Sequence, residues 1–153
     1  MKKITLTQGK FAIVDSADYI WLNQRKWYAA KVGEYNWYAC RSVNGKVVYM
    51  HNVIMGAKWL DHENGNGLDN WRSNLRKCTH QQNQRNKRLP SHNTSGYRGV
   101  TWHKQAGKWV AQIIVDGKCI SCGVYDDKKE AAIAYDKKAI ELFGEFARTN
   151  ILR

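Results

Sequence analysis

Residues 59–88, WLDHENGNGLDNWRSNLRKCTHQQNQRNKR, decide the architecture of the first part of the chain. The Gly- and Asn-rich turn at 63–67 lets the backbone reverse at positive φ between two short runs that are typical of strands. The predicted elements are strands at 59–62 and 75–79 and a helix at 80–86. This order places Asp61 and His62 at a strand end, facing a helix that carries Asn83. We therefore expect these side chains, with Asn74, to converge on one small cleft.

The residue types in this cleft suit hydrolysis of a phosphodiester bond. Water must lose a proton in that reaction, and His62, with a reference pKa near ~6.5, can accept it at neutral pH. The Asp61 carboxylate and the Asn83 amide oxygen are hard ligands of the kind that Mg²⁺ prefers, and Mn²⁺ can replace it. Asn74 would hold the turn or orient the His62 ring. The prediction is a metal site with His62 and Asn74 as catalytic residues and Asp61 and Asn83 as ligands.

The spacing of these residues also resembles a known family. Asn74 follows His62 by twelve positions and Asn83 comes nine further on, among the segments LDHENGNGLDN, RSNLR and QQNQRN. This pattern resembles the ββα-metal motif of HNH nucleases, in the variant with Asn in place of the final His that phage-type homing endonucleases carry. Two alternatives are a polar loop with an ordinary hydrogen-bonded His, and a motif that keeps its fold without turnover.

The charge of the chain indicates an anionic partner. With 153 residues, 43% of them hydrophobic and 12% aromatic, the chain can form one ordinary domain or two small ones. The net charge is +12, and residues 70–115 contain no Asp or Glu. Nine cations in that window supply three quarters of the net charge: Arg72, Arg76, Lys77, Arg85, Lys87, Arg88, Arg98, Lys104 and Lys108. We expect double-stranded DNA as the partner, and a merely solvated basic face is the alternative.

Membrane and zinc interpretations have less support. No run approaches the ~20 apolar residues that span a bilayer, and the N-terminal MKKITLTQGK lacks the apolar core of a signal peptide. We expect a cytoplasmic monomer with no small-molecule substrate, in which four cysteines stay reduced. Cys119 and Cys122 form a CxxC, but Cys40 and Cys78 do not form a second one, so ordinary thiols are favoured over structural zinc.

The first fifty residues are predicted to be β-rich with one short helix. Asp15 or Ser16 can cap that helix, and Asn44-Gly45 is a strong signal for a two-residue hairpin. Eight Trp and Tyr residues between 19 and 49 are expected to form the core on which the polar cleft rests. His51, in a predicted helical turn, either contacts the cleft or DNA or is a satisfied structural histidine.

The C-terminal part is predicted to be a three-stranded sheet covered by one helix. Residues 89–95, LPSHNTS, carry the only Pro and form the predicted linker. Three strand-like runs follow, and Asp127 with Glu130 makes a capping box for a helix that ends at Gly144. The sheet face away from the helix is expected to lie in the major groove of DNA.

These residues resemble a second family. The segments SGYRGVTWHKQAGKWVAQI, GVYDDKKEAAIAYDKKA and FGEFARTN are similar to the APETALA2-type DNA-binding domain of plant ethylene-response factors, over residues 95–150. The resemblance makes Arg98 a base- or phosphate-contacting residue. Where the plant proteins carry Arg, Arg, Glu and Trp, this chain has Thr101, His103, Gln112 and Ser121, which argues against their GC-rich target. The expected DNA contacts are Arg72, Arg76, Arg85, Lys87, Arg88, Arg98, Thr101, His103, Lys104, Lys108, Gln112 and Ser121.

The sequence therefore predicts an α+β protein of two modules. Residues 1–88 form a β-rich nuclease module with the ββα-metal motif at 59–88, and residues 96–153 form the DNA-binding module with its three-stranded antiparallel sheet on one helix. The predicted function is a metal-dependent, homing-type DNA endonuclease. The alternative is a non-catalytic, sequence-specific DNA-binding regulator with a degenerate nuclease motif.

Overall fold

A computed structural model describes residues 1–86 and 89–152, and the chain divides into two compact units, Met1–Gln84 and Arg85–Arg153. Both units combine helices with small antiparallel sheets, which confirms the predicted α+β class. The predicted linker at 89–95 lies within the second unit, and Lys87 and Arg88 lie outside the described residues. Among the described helices, none has both the length and the apolar character needed to cross a bilayer.

The first unit contains three small sheets and three short helices. Its elements are β1 (Lys2–Thr5), β2 (Phe11–Val14), α1 (Ser16–Leu22), β3 (Tyr28–Val32), β4 (Asn36–Val43), β5 (Lys46–Tyr49), α2 (Met50–Met55), β6 (Leu60–His62), β7 (Leu75–Lys77) and α3 (His80–Arg85). Strands β1 and β2 pair, β4 lies between β3 and β5, and β6 pairs with β7. The predicted hairpin at Asn44-Gly45 is confirmed, with both residues at positive φ between β4 and β5.

The core of this unit is more aliphatic than the sequence suggested. Ile4, Val14, Leu22 and Met50 are fully buried, and Trp27 joins them. The expectation that the whole Trp and Tyr set forms the core was wrong: other members, such as Trp21 and Tyr35, are exposed.

The start of α1 is tied to a distant segment. Asp15 occupies the N-cap position but makes no capping hydrogen bond, contrary to one predicted role. Its Oδ2 instead accepts from the backbone N–H of Arg72 at 2.8 Å, and the Arg72 guanidinium donates to both carboxylate oxygens of buried Asp18 at 2.8 Å each. These bonds hold the segment leading into β7 against α1.

The second unit has the predicted three-stranded sheet and one long helix. Its elements are β8 (Val100–His103), β9 (Lys108–Val115), β10 (Lys118–Tyr125) and α4 (Lys128–Phe143), with β9 central and both pairings antiparallel. The Asp127 side chain accepts from the backbone N–H groups of Lys129 and Glu130, as the predicted cap requires. Ala131, Ala132, Tyr135 and Ala139 of α4 form a core with Val100, Ala111 and Ile113 of the sheet.

Candidate functional site

The β6–β7 hairpin carries the predicted acid and base. Asp61 lies opposite Arg76 and His62 opposite Leu75 in the strand register, and both Asp61 and His62 are 5% exposed. The predicted strand start at Trp59 was wrong, because β6 begins at Leu60 and Trp59 has a φ of 59°. Asp61 and His62 are therefore held on a short, rigid element at the wall of the unit.

Asn70 orients the His62 ring. Its Nδ2 donates to the Gly67 carbonyl at 3.4 Å, and its Oδ1 lies 3.3 Å from His62 Nε2. Since an amide oxygen only accepts, Nε2 carries the hydrogen and Nδ1 is the ring atom that can accept a proton. Burial lowers the pKa of this ring, while its hydrogen bond and the charges of Asp61 and Asp69 oppose the shift. The imidazole is neutral at neutral pH.

Asn74 braces the loop between the two strands. Its Nδ2 donates to the Asp69 carbonyl at 2.7 Å and to Asn64 Oδ1 at 3.2 Å, and its Oδ1 accepts from the Asn64 N–H at 3.1 Å. Asn64 Nδ2 in turn donates to Asp69 Oδ2 at 2.8 Å. Of the two tasks considered for Asn74, these bonds correspond to holding the turn, and the amide bonded to the His62 ring is that of Asn70.

The predicted metal ligand Asp61 has a cationic neighbour. Arg76 donates to Asp61 Oδ2 through Nε at 3.2 Å and through Nη2 at 2.9 Å. Arg76 was predicted to contact DNA, so the structure adds a role for this side chain inside the site. The pair leaves little net charge on a carboxylate that is almost fully buried.

Helix α3 begins beside the hairpin and carries Asn83. The His80 ring lies edge-on to Trp59, with 6.1 Å between centroids, and the Cys78 N–H donates to the Trp59 carbonyl at 2.9 Å. The Asn83 side chain is exposed. Within residues 1–86 and 89–152, no three His, Cys, Asp or Glu side chains group as a metal site. A divalent ion would therefore draw on the Asp61 carboxylate, the Asn83 amide and water, a hard-oxygen set that fits Mg²⁺.

A cluster of four rings forms the opposite wall of the site. The His51 ring lies edge-on to His62 with 4.9 Å between centroids, and Tyr38 and Tyr49 pack around His51 at 5.8 and 5.4 Å. His51 is 8% exposed, and burial and the neighbouring His62 lower its pKa to about 3. Its Nδ1 is buried without a hydrogen-bond partner, so of the two predicted roles His51 has the contact with the cleft.

Sequence reasoning missed Asn70, Tyr38 and Gly67. Gly67 lies so close to β4 that an added Cβ would stand 2.5 Å from the Trp37 carbonyl and 2.6 Å from the Tyr38 ring. The Gly- and Asn-rich composition of the loop indicated close packing, but no local pattern distinguished Asn70 from the other asparagines of the loop.

In the second unit, five predicted DNA contacts share one sheet face. Val100, Ala111 and Ile113 are buried toward α4, so alternate positions point to the opposite face. The register pairs residues of this face across the strands: Thr101 with Val110, His103 with Lys108, and Ser121 with Gln112.

Hydrogen bonds and turns further define this face. Lys108 Nζ lies 2.6 Å from Asp126 Oδ1, and the Cys119 thiol donates to Gln112 Oε1 at 3.4 Å. Lys104 is in the exposed β8–β9 turn.

Two predicted contacts of this unit lie elsewhere. Arg98 precedes β8 and is separated from it by Gly99, whose φ of 69° breaks the alternation. Arg98 is half-buried, Asn150 bonds both its N–H (2.7 Å) and its carbonyl (3.2 Å), and burial lowers its pKa. Arg85 packs its guanidinium over the Phe143 ring at 3.9 Å.

All four cysteines are free thiols. Cys40 is fully buried in the first unit, and burial raises its pKa to about 11. Cys119 is exposed on β10 and Cys122 is half-buried, next to an irregularity in the strand pairing.

Comparisons with known proteins follow this division of the chain. The AP2 domain family matches residues 95–145. Over 151 residues the chain is 31% identical to an uncharacterized HNH endonuclease of Acanthamoeba polyphaga mimivirus, covering 94% of this chain and 76% of the relative. Protein 3.8 of Escherichia phage T7 is 33% identical over 90 residues, 59% of this chain and 74% of that protein. The Arabidopsis thaliana ethylene-responsive transcription factor WRI1 is 44% identical over 62 residues, 39% of this chain and 14% of the factor.

The fold, the site and these relatives define a nuclease-type protein with a DNA-binding module. The chain belongs to the HNH endonuclease family and carries an AP2 domain, so both resemblances noted in the sequence are confirmed.

Proposed function

We propose that this chain is a metal-dependent DNA endonuclease of the homing type, in which the AP2 unit selects the site that the first unit cuts. The observation that carries the proposal is the buried His62 ring, whose Nε2 is bonded to Asn70 and whose Nδ1 is thereby the proton acceptor. Membership in the HNH endonuclease family supports the same activity.

The reaction balances with the groups at hand. A water oxygen forms a bond to phosphorus, its proton passes to His62 Nδ1, and the bond from phosphorus to one sugar oxygen breaks. The departing oxygen takes a proton from solvent. A divalent ion held by Asp61 and Asn83 would supply positive charge to the phosphoryl and leaving oxygens. Asn74 keeps the loop, and with it Asn70, in the geometry that orients His62.

A second candidate is a DNA-binding regulator without turnover. The ion pair between Arg76 and Asp61 favours it, because a guanidinium already occupies one oxygen of the predicted metal ligand. The two candidates differ in whether an added metal can share Asp61 with Arg76.

Nicking of supercoiled plasmid separates the two candidates. Wild-type protein is expected to nick in Mg²⁺ or Mn²⁺ and to stop when EDTA is added. His62→Ala should cut ~10²- to 10⁴-fold more slowly, the usual worth of a general base. Asp61→Ala should lose metal-dependent cleavage and keep DNA binding.

The matched control is His92→Ala, which removes an exposed histidine of the second unit and should cut normally. A wild-type protein that binds plasmid but gives no nicked or linear product with either metal would establish the regulator. A His62→Ala protein that cuts within about threefold of wild type would refute the assignment of the base.

A further inference from the structure

Trp59 has a backbone conformation that its residue type disfavours. Four non-glycine residues in the described part of the chain have positive φ: Gln8, Asn44, Trp59 and Asp116. Asn and Asp tolerate this region because their short side chains can bond locally, whereas a bulky residue there is a genuine outlier. Trp59, at 59°, is the bulkiest of the four. Glycine would adopt the same conformation without strain.

Nothing in the fold compensates for this strain. Trp59 is 65% exposed, so the indole recovers little from burial. The hydrogen bond from the Cys78 N–H uses the Trp59 carbonyl, which any residue would supply. The one ring contact of the indole is with His80, itself exposed. Persistent strain without a structural return is characteristic of functional positions.

The location of the indole is at the rim of the candidate site. Trp59 immediately precedes β6 and stands two residues before Asp61. Its ring contact, His80, is the first residue of α3, the helix that carries Asn83. Two exposed cations flank it, because Lys58 precedes it in the chain and Lys77 lies opposite Leu60 in the register.

We propose that Trp59 is a DNA-contacting residue, whose indole stacks on the deoxyribose or base next to the phosphodiester bond that is cut. His80 supports the ring edge-on, and Lys58 and Lys77 attract the adjoining phosphates. An exposed π-face beside cations is the combination by which proteins hold nucleotides without hydrogen-bonded base recognition. The identity of the ligand as DNA at this site rests on the proposed function.

The test uses Trp59→Gly, which removes both the ring and the strain. Binding to a short duplex is measured in EDTA, so that no cleavage is needed, and thermal unfolding is measured on the same samples. We expect an unchanged or higher Tm together with a Kd that is weaker by at least about fivefold, the lower end for loss of one stacking contact. Trp59→Phe keeps a stacking face and should bind within about threefold of wild type.

Asn44→Gly is the matched control. It relieves the same kind of backbone strain, in the β4–β5 turn rather than beside Asp61 and His62. It should raise or maintain the Tm and leave the Kd unchanged.

Wild-type affinity in Trp59→Gly would overturn the proposal, and so would a joint loss of Tm and affinity, because the indole would then be structural. If Trp59→Gly does not fold, Trp59→Leu is compared with Trp59→Phe, since both keep the strain and only Phe can stack. Equal affinity of these two would overturn it as well. A wild-type protein that shows the Trp59 effect on binding but never nicks would contradict only the proposed nuclease activity.

Discussion

At the scale of single residues, the chemistry depends on which ring nitrogen of His62 holds a hydrogen. Asn70 sets this through its Oδ1, and its own amide is fixed by Gly67. Asn70→Leu keeps the volume but removes the acceptor, so the ring can rotate or change tautomer. Loss of an orienting partner of this kind typically costs ~10- to 100-fold in activity. We expect that loss in kcat of plasmid nicking, with KM little changed.

Asn70→Asp provides the comparison for this prediction. It keeps an oxygen facing Nε2 and should retain most of the activity. If Asn70→Leu and Asn70→Asp lose kcat equally while remaining folded by circular dichroism, Asn70 acts through packing and not through the ring hydrogen.

The sequence could predict the residues that act but not all the residues that hold them. Asp61 and His62 followed from a strand end next to a turn, since side chains there converge regardless of distant packing. Asn70 could not be chosen, because its contact with His62 exists only when the loop returns across the strand. His51 reaches the same ring from α2, which no spacing rule connects to β6.

At the scale of elements, local signals were accurate where the partner was local. Asn44-Gly45 predicted the β4–β5 hairpin and Asp127 predicted the start of α4, each through contacts within a few residues. Asp15 failed as a cap because its carboxylate bonds Arg72, 57 positions away. Arg98 was placed on the free sheet face by alternation, which the left-handed Gly99 interrupts.

The contact between the 63–74 loop and β4 gives a prediction at this scale. Gly67→Ala would drive a Cβ against the Trp37 carbonyl and the Tyr38 ring, at 2.5 and 2.6 Å. The loop or Tyr38 must shift, and Tyr38 packs 5.9 Å from His62. We expect the free energy of unfolding to fall by about 1–3 kcal/mol, the usual cost of overpacking, and nicking to slow.

Urea unfolding and plasmid nicking measure the two effects of Gly67→Ala. Ser73→Ala, an exposed position in the same loop, should change neither. Unaltered stability and activity in Gly67→Ala would mean that the loop can move away from β4 without disturbing His62.

At the scale of the whole molecule, the net charge overstates the cations that meet DNA. Of the seven described cations between residues 70 and 115, Arg72, Arg76 and Lys108 are in ion pairs with carboxylates from outside that window. Each neutralised phosphate contributes about −0.9 to the slope of log K against log salt, so nine available cations would give about −8 and six about −5. We expect a slope no steeper than about −5.

Asp126→Asn tests this accounting with one exposed ion pair. It removes the carboxylate that holds Lys108, and the slope should steepen by up to about 0.9 if that lysine then meets a phosphate. Glu34→Gln, which makes the same charge change on an exposed loop of the first unit, is the control and should leave the slope unchanged. An equal change in both variants would show that only overall charge is being measured.

The last prediction concerns the division of labour between the two units. The first unit has a core of its own, from Ile4 to Leu75, and contains Asp61, His62 and Asn74. A fragment ending at Ser91 removes the sheet face that carries Gln112 while keeping this core. The fragment should therefore fold and nick DNA weakly, without preference for the sites that the full chain cuts. Mapping of nicks on one long DNA by sequencing, for fragment and full chain, measures the preference. A fragment that is folded by circular dichroism and still cuts the full chain's preferred sites with equal selectivity would show that site choice resides in the first unit, because only phosphate contacts would then remain for the AP2 sheet.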